Sequence, residues 1–135
     1  MNLQPLLSTN LYSAKGRIAV LGTCLPQLAP AACEALCAEL DGAYTLCLEE
    51  SHVNLAVAKL AAMLATGQVT ALTFASVDRS PHCTQLHYIH HELLRGHTFD
   101  IPIRHFVLSG ERLVEISDET IELSKSLARL EASGL

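Results

Sequence analysis

The chain has no tryptophan and only six phenylalanine and tyrosine residues, and its nine lysines and arginines are scattered rather than grouped. Single strands of nucleic acid are held on exposed aromatics interleaved with cations, and duplexes on clustered basic residues. Neither pattern is present, and a net charge of −5 points the same way, so no nucleic-acid partner is expected. Long hydrophobic runs are missing too. The longest, Leu55 to Ala65, carries Lys59 and falls far short of the roughly 20 residues that cross a bilayer. The first residues lack a basic start, and Pro5, Ser8, Thr9 and Asn10 break up their apolar character, unlike an export signal. The expectation is a cytoplasmic chain with no membrane association.

Charged residues are few, at 17%, while half the residues are hydrophobic, a balance that excludes disorder. A length of 135 residues fits one domain around a single core. What stands out is five cysteines and seven histidines. An odd number of cysteines, without dense spacing, reads as thiols in a reducing compartment rather than as a disulfide framework.

After a leader, Met1 to Gly16, predicted to be irregular or helical, Arg17 to Gly22 is an apolar run suited to a buried parallel strand. Thr23 to Pro30 reads as a loop, and Ala31 to Leu40 as a helix stopped by Asp41 and Gly42. A second strand, Ala43 to Leu48, leads through Glu49 to His52 into an Ala- and Leu-rich helix, Asn54 to Thr66, closed by Gly67. Val69 to Val77 is a third strand. Ser80 as cap and Pro81 at the first helical position then start a helix that runs to Arg95 and Gly96. Ile103 to Leu108 and Arg112 to Ile116 flank a hairpin turn, and a last helix runs from about Ser117 to Ala132. Strand and helix alternate, which implies right-handed crossovers and a mainly parallel sheet covered on both sides. The predicted fold is a single three-layer α/β domain, Rossmann-like or flavodoxin-like, with a C-terminal β-hairpin and final helix. Ligands of such folds sit at the carboxyl ends of the strands, where strand order reverses. If the first strand is central, the loops Gly22 to Pro26, Glu49 to His52 and Asp78 to Cys83 meet there.

The segment Asp78 to His91 packs a charged turn, a helix start, a thiol and four imidazoles into a short stretch. A thiol in a helix's first turn gains from the dipole and can act as nucleophile, redox group or metal ligand. At 100° per residue Cys83, His87 and His90 share a stripe with His91 beside it, while Leu86, Ile89 and Leu93 form the apolar stripe that faces the sheet. Cys83 and His87, one turn apart, are therefore the candidate ligands of a transition metal, zinc or iron. They are half of an ordinary zinc site. Cys24, Glu50, His52 and Asp78 are the candidates to complete it, and Thr23, Arg79, Ser80 and Gln85 to line the ligand pocket. Cys83 with His82 or His87 is also the candidate catalytic pair, should the protein be an enzyme. Solvent or a subunit contact is the expected setting of His90 and His91, a surface loop that of His97 and a strand that of His105. Cys33, Cys37 and Cys47 read as core packing. One glycine follows the first strand where a dinucleotide fingerprint would have three, and no phosphate-binding loop is present.

Residues Leu72 to His87, LTFASVDRSPHCTQLH, resemble a segment of small uncharacterised α/β proteins of anaerobic prokaryotes, in which SPHC and QLH elements follow a strand. That resemblance implies a shared site of Ser80, Pro81, His82, Cys83, Gln85 and His87 in an anaerobic cytoplasm, in a setting of redox or iron–sulfur metabolism. Two functions follow as expectations. One is a module that binds a metal ion or small anion at the switch point; the other is a non-catalytic adaptor that forms a homodimer or joins another protein.

Overall fold

The computed structural model describes residues 2–95 and 99–134, so the reading of His97 and the end of the third predicted helix at Gly96 lie outside the described residues. Six strands, Leu3–Pro5 (β1), Gly16–Gly22 (β2), Gly42–Leu46 (β3), Val69–Val77 (β4), Ile103–Ser109 (β5) and Arg112–Ile116 (β6), form one sheet in the order β1-β3-β2-β4-β5-β6. All neighbours are parallel except β5 and β6. The helices are Leu25–Leu28 (α1), Pro30–Cys37 (α2), Val53–Ala65 (α3), Pro81–Leu94 (α4), Asp118–Ser124 (α5) and Leu127–Ala132 (α6). Among the described residues, no helix is long and apolar enough to cross a membrane.

β2 sits between β3 and β4, and its central residues Ile18, Ala19, Val20 and Leu21 are wholly buried. An unbroken aliphatic run is what a strand covered on both faces requires. Its start is fixed by Asp41, whose carboxylate accepts the Arg17 N–H at 2.8 Å. Gly16 makes room for that carboxylate: it holds φ at +75°, and a Cβ there would lie 2.2 Å from Asp41 Oδ2. The chain leaves β2 toward β3 on one side and returns past it to β4 on the other. The switch point predicted from the sequence is therefore at the carboxyl end of β2.

Alternate residues of the strands feed two cores. Ile18, Val20, Leu72 and Phe74 pack against α3 and the predicted α4 stripe of Leu86, Ile89 and Leu93. Ala19, Leu21, Ala43 and Ala75 pack against Leu25 of α1 and Cys33 of α2. Beyond them, α5 lies on the α4 side, where Ile121 is buried and Tyr88 and Ser124 share a hydrogen bond of 3.0 Å.

Three elements differ from the expectation. The leader contains β1, which pairs with β3, and Leu6 just after it is fully buried. A strand of three residues ending in proline is too short for its periodicity to show, and an edge position tolerates that proline. The predicted loop after β2 holds one helical turn, α1, which Pro30 separates from α2. The last helix is two: Lys125 ends α5, and Ser126 starts α6 by accepting the Arg129 N–H.

Candidate functional site

Ser80 caps α4 as its sequence position requires, its Oγ accepting the Cys83 N–H at 3.4 Å, with Pro81 next in the first turn. This helix start meets the loops that follow β2 and β3 around a crevice of about 40 Å³. Thr23, Cys24, Ser80, His82 and Cys83 line it, joined by Cys47 and Glu49. Cys47 was expected in the core; it lies just past the end of β3, where the strand opens toward the crevice. Gly22 borders the crevice, where a Cβ would make ordinary van der Waals contact with Cys83 Sγ at 3.5 Å. The volume suits a single water or ion and not a dinucleotide. The helix start is also a weak anion trap. Pro81 has no N–H, those of Cys83 and Thr84 go to Ser80, and the first turn is left with the His82 N–H.

Other expected members lie elsewhere. Asp78 and Arg79 border a neighbouring hollow with Leu28, Leu108 and Ser109. Arg79 is the non-glycine residue with positive φ among those described, at +71°, in the turn between the end of β4 and the Ser80 cap. Gln85 faces a groove between α3 and α4. Glu50 lies exposed in the β3–α3 loop, and His52 stands at the α3 start without a side-chain cap; neither lines the crevice.

His87 does not turn to Cys83. Its ring is buried and both nitrogens are committed, Nε2 to Ser76 Oγ at 2.6 Å and Nδ1 to His105 Nδ1 at 2.8 Å. It therefore offers Cys83 neither a lone pair for a shared metal nor a base. His105 passes the contact on, Nε2 to His90 Nδ1 at 2.9 Å, and stacks on Phe74. Four side chains thus form a line from the inside of β4 to the α4 surface. Burial pushes the His87 pKa down to about 4, and burial with the two neighbouring rings takes His105 to about 3. The rings are neutral at pH 7, so each carries one N–H, and the line can run in either direction. Asp118 decides it. Its Oδ1 lies 3.5 Å from His90 Nδ1, which favours the proton on that nitrogen. His90 then donates to His105, His105 to His87, and His87 to Ser76.

His90 and His91 are not a solvated face. α5 covers them, leaving their side chains 13% and 11% exposed. His91 Nε2 lies 2.5 Å from Asp118 Oδ1, and its Nδ1 faces the Lys125 ammonium at 2.5 Å and Glu122 Oε1 at 3.1 Å. Partial burial opposes the charge of Asp118, yet the His91 hydrogen bond and the surrounding imidazoles hold its carboxyl below the usual range. Among the described residues, His90, His91 and Asp118 are the group whose metal-binding atoms lie within 4.8 Å of one another. The sequence carried part of this signal. His87, His90 and His91 fall at helical spacing, but Asp118 is remote in the chain and reaches them only because α5 folds back on α4.

A family model for a Rossmann-like domain matches residues 12–133. The chain belongs to the Rossmann-like domain family. The parallel order around β2 and the crevice at its carboxyl end are the parts of that fold already described. No curated protein and no solved structure matches the chain. Membership of a Rossmann-like family accounts for the architecture; the chemistry has to come from the side chains.

Proposed function

We propose that this Rossmann-like domain binds a divalent transition-metal ion of the zinc or iron(II) class through His90, His91 and Asp118. The observation that carries this is the gathering of two imidazoles and one carboxylate from α4 and α5 within 4.8 Å. Imidazole donors select such ions over magnesium and calcium, which prefer oxygen alone. Three protein ligands leave coordination positions for water or a small molecule, as catalytic metal sites do. The reading thus keeps a metal but moves it from the strand ends to the α4–α5 face.

Protonation suits the role. Metal ligands must be deprotonated. Burial lowers the His90 pKa, and Asp118 is held ionised; an ion taken at His90 Nδ1 displaces the proton that this nitrogen otherwise donates to His105. If the ion takes His91 at the nitrogen facing Asp118, the remaining N–H points to Glu122, 3.1 Å away. A carboxylate receiving the outer N–H of a ligand histidine is the usual support of a metal site. The Lys125 ammonium now occupies that position and has to withdraw when the ion enters.

Calorimetric titration of the metal-free, reduced chain with Zn²⁺ tests the proposal. One class of sites should weaken at least about tenfold in His91→Ala and again in Asp118→Asn, since even outer-shell changes cost that much. Affinities unchanged in both variants would remove the site.

A further inference from the structure

We infer that the crevice at the carboxyl ends of β2 and β3 is a separate metal site, for one thiophilic ion of the zinc class held by Cys24, Cys47, Cys83 and His82. Three segments that are distant in the chain deliver these donors to one space of about 40 Å³: the loop after β2, the loop after β3 and the first turn of α4. A space of that size takes an ion and excludes an organic cofactor. Three thiolates with one imidazole are a Cys₃His set, one of the closed tetrahedral sets that hold structural zinc. The α4–α5 group offers imidazole and carboxylate, so the two sites have different donor chemistry.

Their shared position on the crevice wall separates these thiols from ordinary packing. Cys33 and Cys37 show what packing looks like in this chain: they lie together on α2, and burial raises both pKa values, that of Cys33 to about 12. Cys24 is exposed at the crevice wall, and Cys47 and Cys83 are half-buried there, as Cys37 is on α2. The sulfurs are not yet gathered within 4.8 Å of one another. Rotation about χ1 moves each between staggered positions without moving the backbone, and metal–sulfur bonds of about 2.3 Å would then draw them in. Each thiol releases its proton to solvent as its bond to the ion forms, and no electron is transferred.

Titrating the reduced, metal-free chain with Co²⁺ separates this inference from the proposed function, because only thiolate ligands give intense near-ultraviolet charge transfer. Charge-transfer absorption should saturate at one equivalent, disappear in Cys83→Ser and persist in His91→Ala. Zn²⁺ should then bleach it and protect Cys24 from alkylation. Should Cys83→Ser fail to fold, Cys24→Ser on the exposed loop should give the same loss. Absence of charge transfer in the wild type, or its survival in both serine variants, overturns the inference and leaves the His90–His91–Asp118 reading untouched.

Discussion

Acidification from pH 7 to pH 5 should cost the metal-free protein much of its stability, and the buried imidazoles set the size of the loss. An unfolded histidine titrates near 6.5, while His87 and His105 fall to about 4 and about 3 in the folded chain. The unfolded state therefore binds more protons between these values. Stability is full above pH 6.5 and is lost as pH falls toward the folded values. At pH 5 each unfolded ring is almost fully protonated and each folded ring almost fully neutral. The cost relative to pH 7 is about 2 kcal/mol per ring, or about 4 kcal/mol for the pair. Against the 5–15 kcal/mol typical of a domain, roughly, that is a large fraction. His90, also lowered by burial, acts in the same direction. Asp118 does not interfere, because its depressed carboxyl loses its contribution only below about pH 4, the ordinary carboxylate range. Urea unfolding at half-unit pH steps in chelator measures the slope directly. A loss below about 1 kcal/mol between pH 7 and 5 would refute neutral, buried rings. So would an equally steep slope in His87→Leu/His105→Phe, which removes both.

Lys125→Met should tighten Zn²⁺ binding about tenfold, because it removes the ammonium that the ion must displace from beside His91, a gain of about 1.4 kcal/mol by calorimetry. If the cluster is merely an ion-pair network, the same change leaves affinity flat. Gly16→Ala should lower stability by about 2 kcal/mol in urea melts, since alanine is strained at positive φ and its Cβ meets the Asp41 carboxylate. Ser80→Ala should cost about 1 kcal/mol through loss of the α4 cap.

The fold was largely legible because its decisive segments are locally consistent. Arg17 to Gly22 is aliphatic throughout, and Ser80-Pro81 marks a helix start by chemistry that no tertiary contact needs to override. β1 was hidden because its three residues owe their strand state to pairing with β3 rather than to any pattern of their own. The break between α5 and α6 was hidden by a continuous helical pattern that Ser126 interrupts with a cap. At the site, helical spacing placed Cys83, His87 and His90 on one stripe, but spacing cannot say which neighbour each faces. His87 turned inward to Ser76 and His105. His105 came from a strand, and Asp118 from a helix whose docking the sequence does not reveal. Proximity in the chain points to Cys83 with His87; the structure turns His87 to Ser76 and His105 and gathers His90 and His91 with Asp118.

The most direct test of the metal reading is the long-range ¹H–¹⁵N correlation spectrum of the histidine rings, recorded at pH 7 before and after two equivalents of Zn²⁺, enough to fill both the crevice and the α4–α5 site. Ring nitrogens of His90 and His91 should move to metal-bound shifts, while His87 stays a neutral ring with its proton on Nε2, toward Ser76. Unshifted His90 and His91 resonances in the presence of bound Zn²⁺ would contradict a site built on α4 and α5.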